Sequence, residues 1–296
     1  MTNRQKVGLI GLGAMGRGAA ANLMAKGYDV VGYDVRKESL DWLQQNGGIP
    51  ADSLPKLAEQ VGIVVSFVIN SEQTEAILYG RDGLVGKLSA GTVFVNCSTM
   101  DPAYVQRLAD RLANDAIGLV DAPVTGGTSG AAQGTLTIIG SGDKAAFEQA
   151  RPVLEKMGTR VHYLGPAGAG SKLKVINQLL VGANLAAAAE AMALAKHLGV
   201  PLDTTLEVLS SGAASSWMLV DRGPKMISEG FNDVAASVDI FVKDLSLVLD
   251  ATGGARFPAP LAHAAYLSFL EAAARGFGLA DGSVVTTNYA HQLPAK

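Results

Sequence analysis

Val7-Gly8-Leu9-Ile10-Gly11-Leu12-Gly13-Ala14-Met15-Gly16 runs from a short apolar segment straight into a GxGxxG pattern, with a helical stretch behind it. In a chain with 35 glycines such a pattern can arise by chance, and a bare strand-to-helix turn is its simplest meaning. Its position between strand and helix gives it a stronger one. Gly11 permits the tight turn, Gly13 lets the backbone approach a pyrophosphate, and Gly16 lets helix and strand pack closely, while the helix N-terminus attracts the phosphates. Leu12, Ala14 and Met15 complete this candidate cofactor loop. Asp34 follows at the end of the second apolar run, 21 residues beyond Gly13. A carboxylate there can bond the adenosine ribose diol and repel a 2′-phosphate, which points to NAD as the cofactor. Two alternatives stay open: Asp34 caps the helix expected over 36–44, and Arg36 softens the discrimination against NADP.

Outward from this turn, short apolar runs alternate with amphipathic stretches as far as Leu164. Strands are expected at 7–10, 30–33, 62–68, 92–96, 118–124, 135–139 and 160–164. This alternation predicts an α/β Rossmann domain with a doubly wound, mostly parallel sheet over residues 1–165. Gly27 closes the first helix, and Asp101-Pro102 and Asp143 open two later ones. After Gly165-Pro166 the β-rich runs stop. Residues 166–296 read as an all-α domain for substrate binding and oligomerisation, with helices at 171–198, 203–210, 216–229, 237–251, 260–275 and 281–290. The first of these would span about 40 Å and is apolar nearly all round. Such a helix must be covered on every side by its neighbours or by a second copy, so a homo-oligomer, a dimer or a tetramer, is expected.

Composition narrows the partners. With 48% hydrophobic and 17% charged residues the chain has enough apolar surface for a core, and a net charge of -3 with interspersed signs offers no basic face to a nucleic acid. The single cysteine, Cys97, excludes an intramolecular disulfide, and the N-terminus leads into a strand without an apolar leader, so a cytoplasmic protein is expected. No apolar run long enough to span a bilayer is read, because Asn184 and Glu190 interrupt the longest one. His162, His197, His263 and His291 are scattered, and no metal site is expected.

Val68 and Ile69 end the third strand, and Ser98 and Thr99 follow the fourth, at the edge where open α/β sheets bind ligands. They are candidates to contact the nicotinamide half of the cofactor, with ordinary turn or cap duty for Ser98 and Thr99 as the alternative. Four elements then occur in order: GLGAMG, Asp121-Ala122-Pro123-Val124-Thr125-Gly126-Gly127, Gly168-Ala169-Gly170-Ser171-Lys172-Leu173-Lys174, and Lys243-Asp244. Together they resemble the β-hydroxyacid dehydrogenase family, which includes 3-hydroxyisobutyrate dehydrogenase and tartronate semialdehyde reductase. The resemblance implies that Thr125, Gly126 and Gly127 hold the substrate carboxylate, that Lys174 is catalytic, and that Lys243 approaches the nicotinamide. Lys243 could equally pair with Asp239, one helical turn earlier. Many relatives place asparagine four residues after the catalytic lysine; here that position is Gln178, longer by one methylene.

These expectations describe an NAD-dependent oxidation of a small hydroxy acid. A free lysine titrates near 10.4, so neutral Lys174 would need a lowered pKa to accept the hydroxyl proton. Gln178, Ser215, Ser216 and Asp239 are more polar groups than a branched apolar acid requires, and the expected substrate is a four-carbon sugar acid. The alternatives are 3-hydroxyisobutyrate, tartronate semialdehyde, and a non-enzymatic dinucleotide-binding scaffold on the same fold.

Overall fold

The strand that begins at Lys6 is apolar on both faces because it lies inside the sheet. The computed structural model describes residues 4–292, and it divides between Lys174 and Val175 into two compact units. In the first, β1 (Lys6–Ile10) is flanked by β2 (Asp29–Tyr33) and β4 (Ile63–Ser66), both parallel to it. Val7 and Leu9 face one core, which holds Ala19, Ala20, Phe147 and Val153, while Ile10 faces another built from Leu57, Val64, Phe94 and Leu108. Helices on both faces are what a continuous apolar parallel strand demands.

Among the described residues nine strands form the sheet, in the order β3-β2-β1-β4-β5-β6-β8-β7 with β9 paired to β8. The added strands are β3 (Ile49–Pro50), β5 (Val93–Asn96), β6 (Gly118–Asp121), β7 (Val124–Thr125), β8 (Leu136–Gly142) and β9 (Gly158–Tyr163). The run expected as one strand over 118–124 is broken after Asp121. Pro123 lacks the N–H a ladder needs, so the pairing lapses at Ala122 and Pro123, and β7 resumes in the same direction, antiparallel to β8 as β6 is and in the same register. The helices are α1 (Ala14–Ala25), α2 (Lys37–Gln45), α3 (Leu54–Ala58), α4 (Ser71–Tyr79), α5 (Pro102–Asn114), α6 (Gly127–Gln133) and α7 (Lys144–Met157). Asp101 and Asp143 cap α5 and α7 through their carboxylates. β3, α3, α4 and α6 lie outside the expected elements; β3 has two residues, too few to show a period.

Helix α8 (Ala169–His197) starts in the first unit and continues into the second. Contrary to the sequence reading, it is long and apolar enough to cross a membrane, with a mean hydropathy of 1.4, since Asn184 and Glu190 are diluted by alanines and leucines. Leu185, Ala189 and Met192 lie in the core of the second unit, with residues of α10 (Trp217–Ser228), α11 (Val238–Gly254) and α12 (Pro260–Ala272). Coverage is one-sided: Ile176, Leu180 and Leu194 stay exposed. A further helix, α9 (Leu202–Ser211), precedes α10. The helix expected over 260–275 ends at Ala272 and passes into a π-helical turn, where Gly276 takes a φ of 90°. A 3₁₀ segment (Gly282–Gln292) replaces the last expected α-helix.

Asp281 holds this C-terminal segment in place. It is fully buried and accepts hydrogen bonds from Ser283 N (3.0 Å), Ser283 Oγ (2.7 Å) and Ala235 N (2.9 Å). The cations of Arg222 and Lys225 lie 3.5 and 4.0 Å away. Burial pushes its carboxyl pKa up, but the Ser283 hydrogen bonds and the Arg222 charge outweigh that and hold it below the usual range. A depressed folded pKa contributes stability that is complete above the unfolded value near pH 4 and is lost as pH falls through the folded one. Asp281→Asn is expected to cost about 3 kcal/mol near neutral pH. Urea melts of both proteins near pH 7 and near pH 3 check this; the gap between them should shrink in acid.

Candidate active site

The three glycines of the first turn meet three different constraints. Gly11 has a φ of +85°, a conformation that favours glycine, and a Cβ there would lie 2.8 Å from Phe67 O. A Cβ on Gly16 would lie 1.9 Å from the Gly11 carbonyl, so helix and turn touch. Gly13 is open instead: the nearest group is the Arg36 guanidinium, 3.8 Å from an added Cβ. Ala14 and Met15 form the first turn of α1, which has no side-chain cap and no acidic residue. Its N–H groups are thus left for an anion, and the open face of Gly13 gives a pyrophosphate room to approach.

Asp34 lies one residue beyond β2 and is tied to this turn. Its carboxylate accepts from Leu12 N at 2.7 Å and Arg36 N at 2.9 Å, and pairs with the Arg36 Nε at 3.1 Å. Burial raises its pKa, and the hydrogen bonds and charge of Arg36 more than reverse the shift. The helix-capping alternative does not hold, because α2 begins at Lys37 with Arg36 at its cap position and no side-chain cap bond.

Further along the same sheet edge, Ser66, Asn96, Asp121 and Ser141 are register partners on four neighbouring strands, all fully buried. Val68, half-buried, and Ile69, exposed, follow β4. Ser98 donates its hydroxyl to Val68 O and so ties two loops together, which is the turn duty named as its alternative. Thr99 is half-buried in the same loop. Cys97 is buried, and its surroundings together with the Asp121 carboxylate push the thiol pKa up, away from nucleophilic use.

Thr125 ends β7, and Gly126 and Gly127 follow with φ of 124° and 62°. Two consecutive positive φ values make this a turn for glycine, opening α6 with its N–H groups adjacent. In the same unit Lys174 is buried, at 7% exposure, while Lys172 is exposed. Asp121 is the residue whose part the sequence reading missed, although it opens a quoted motif: Ser171 N and Oγ donate to its carboxylate at 2.9 and 2.8 Å.

In the second unit, Gln178, Lys243 and Asp244 meet. Gln178 Nε2 donates to Asp244 Oδ2 at 2.6 Å, and Lys243 Nζ lies 2.7 Å from Asp244 Oδ1. Asn177 donates to Gln178 Oε1 at 2.8 Å, so the amide is held at both ends. Asp244 is a second organiser, and its part shows only in the fold, since nothing beside it in sequence points to Gln178. Ser216 caps α10 by accepting from Leu219 N. Asp239 is exposed at the start of α11.

Residues 6–165 match the family described as the NAD binding domain of 6-phosphogluconate dehydrogenase, and residues 168–288 match NAD-binding of NADP-dependent 3-hydroxyisobutyrate dehydrogenase. The chain is 40% identical to the L-threonate dehydrogenase of Cupriavidus necator, over 99% of either chain. The chain belongs to the β-hydroxyacid dehydrogenase family. It is 34% identical to the 2-(hydroxymethyl)glutarate dehydrogenase of Eubacterium barkeri, over 95% of this chain and 93% of that one. A crystal structure of 3-hydroxyisobutyrate dehydrogenase from Salmonella typhimurium superposes with a TM-score of 0.91 at 38% identity, covering 96% of this chain and 99% of that chain. This β-hydroxyacid dehydrogenase therefore uses a nicotinamide dinucleotide to oxidise a small hydroxy acid.

The glycine geometry separates binding from stability. Gly16→Ala is expected to destabilise by about 1–3 kcal/mol through overpacking against Gly11. Gly13→Ala should leave the thermal midpoint unchanged and weaken NADH binding about tenfold or more, because its methyl occupies the open face. Thermal melts and NADH fluorescence titrations of the two variants check the contrast.

Proposed function

We propose that this enzyme oxidises L-threonate, or a closely similar four-carbon sugar acid, to its 2-oxo acid with NAD, and that Lys174 is the general acid/base. Residues 1–165 serve the dinucleotide and 166–296 the substrate and assembly. The observation that carries the catalytic reading is the burial of Lys174 on α8, on a helix whose next turn presents Gln178. Nicotinamide supplies the hydride acceptor. Lys174 takes the hydroxyl proton during oxidation and returns it in reduction. Thr125, Gly126 and Gly127 hold the substrate carboxylate through a hydroxyl and adjacent N–H groups. Gln178, braced by Asn177 and Asp244, bonds a substrate hydroxyl.

On the cofactor side Gly11 to Gly16 hold the pyrophosphate, Val68, Ile69, Ser98 and Thr99 line the nicotinamide half, and Lys243 approaches its ring. Asp34 takes the adenosine ribose, supported by its place against Leu12 N. The exposed apolar residues Ile176, Leu180 and Leu194 on α8 support a homo-oligomer. A cytoplasmic setting is consistent with the small-molecule chemistry.

Threonate is favoured by the curated relative at 40% identity and by the polar Gln178–Asp244 pair. 3-Hydroxyisobutyrate is the second reading, favoured by the name of the Salmonella structure. A site that hydrogen-bonds hydroxyls rejects analogues lacking them. We expect kcat/KM for L-threonate to exceed that for 3-hydroxyisobutyrate by at least about 10²-fold, with D-glycerate between. Wild type should prefer NAD over NADP, and Asp34→Ala should narrow that ratio about tenfold or more, since a charge-assisted hydrogen bond is worth about 1.5–3 kcal/mol. Steady-state kinetics with both cofactors and all three acids test these statements; preference for 3-hydroxyisobutyrate would overturn the sugar-acid assignment. Lys174→Ala is expected to lower kcat by about 10² to 10⁴ with NADH binding nearly unchanged, measured by turnover and fluorescence titration.

A further inference from the structure

We infer that Asp121 is the positioning residue that sets the rotation of α8, and through it the direction in which Lys174 points. The inference rests on the reading of Lys174 as the acid/base. Asp121 is the last residue of β6, fully buried, and bonded into the sheet between Asn96 and Ser141. Its Oδ2 accepts Ser171 N at 2.9 Å and Ser141 Oγ at 3.0 Å, while Oδ1 accepts Ser171 Oγ at 2.8 Å. Ser141 Oγ in turn accepts Gly170 N at 2.9 Å. The N–H groups of Gly170 and Ser171 at the start of α8 are therefore satisfied by side chains of two sheet strands.

This attachment fixes more than the position of the helix end. Residues three apart share a helix face, so Lys174 lies on the face that Ser171 presents to Asp121. Between them Lys172 and Leu173 are exposed, and Lys174 and Val175 are buried. Each residue advances the face by about 100°, one 3.6-residue turn being 360°. A slip of one residue in phase would bring Leu173 to where Lys174 now lies. Asp121 is also four residues upstream of Thr125, so the carboxylate turn and the lysine are both placed from the same strand end. A misplacement of about 1 Å costs on the order of 10²-fold in rate.

The test is a double-mutant cycle of Asp121→Ala with Lys174→Ala, alongside Asp121→Asn and Ser171→Ala. Turnover, KM for the hydroxy acid, NADH affinity and the deuterium isotope effect on kcat are measured with carbon-deuterated substrate. Asp121→Ala is expected to lower kcat about 10²-fold, with KM and NADH affinity within about threefold and a larger isotope effect, as chemistry becomes rate-limiting. Asp121→Asn keeps one acceptor oxygen for Ser171 N and Ser141 Oγ and turns an amide N–H₂ to Ser171 Oγ, whose hydroxyl can rotate to accept, so it should recover kcat to within about tenfold of wild type. In the Lys174→Ala background Asp121→Ala should cost no more than about threefold, because a residue acting through Lys174 has nothing left to position. A folded Asp121→Ala with wild-type kcat, or losses that multiply in the double variant, would overturn the inference while leaving Lys174 as the acid/base. Turnover retained by Lys174→Ala alone would instead remove the reading beneath it. Should Asp121→Ala fail to fold, Ser171→Ala and Asp121→Asn decide: a lowered kcat at unchanged KM in Ser171→Ala supports the inference, and wild-type kinetics in both overturn it.

Discussion

A helix that begins inside a protein leaves N–H groups that water cannot reach, and the start of α8 is satisfied by Asp121 and Ser141 of the sheet. A buried carboxylate is costly unless hydrogen bonds and charge offset its desolvation. Here burial still drives the Asp121 pKa upward against the Ser171 and Ser141 hydrogen bonds. The arrangement is retained at that cost, and it couples β6 to the helix that carries Lys174.

The same edge of the sheet organises the rest of the first unit. Strand ends place side chains where the ladder stops, and loops there lack ladder partners of their own. Asp34 spends its carboxylate on Leu12 and Arg36, so the glycine turn is braced before any ligand arrives. Ser98 joins the loops after β4 and β5. The glycines divide their work between tight packing at Gly11 and Gly16 and an open approach at Gly13. Chemistry that depends on donors fixed in advance requires such bracing, because reorganising them during reaction costs rate.

In the second unit a similar economy appears around Asp244. One carboxylate holds both Gln178 and Lys243, and Asp281 does the equivalent structural work for the C-terminal segment. Each buried charge is met by donors from elements distant in sequence, so removing one disturbs several segments together.

Periodicity, glycine spacing and helix caps are local, and they determined the strand-helix alternation, the dinucleotide turn, the caps at Asp101 and Asp143, and the helical C-terminal half. The motif around Lys174 was read only through its resemblance to a family, from residue types in a set order. Only the tertiary structure decided that the strand begun at Gly118 is interrupted after Asp121 and resumes at Val124 along β8, that Ser216 caps a helix, and that Asp121 and Asp244 bind helices far along the chain. A two-residue strand such as β3 shows no period, and it forms because a neighbour offers an edge. Hydrogen bonds spanning 50 and 66 positions leave no mark on local composition, because the partner of a buried carboxylate is chosen by where the fold brings donors, not by what stands beside it in sequence.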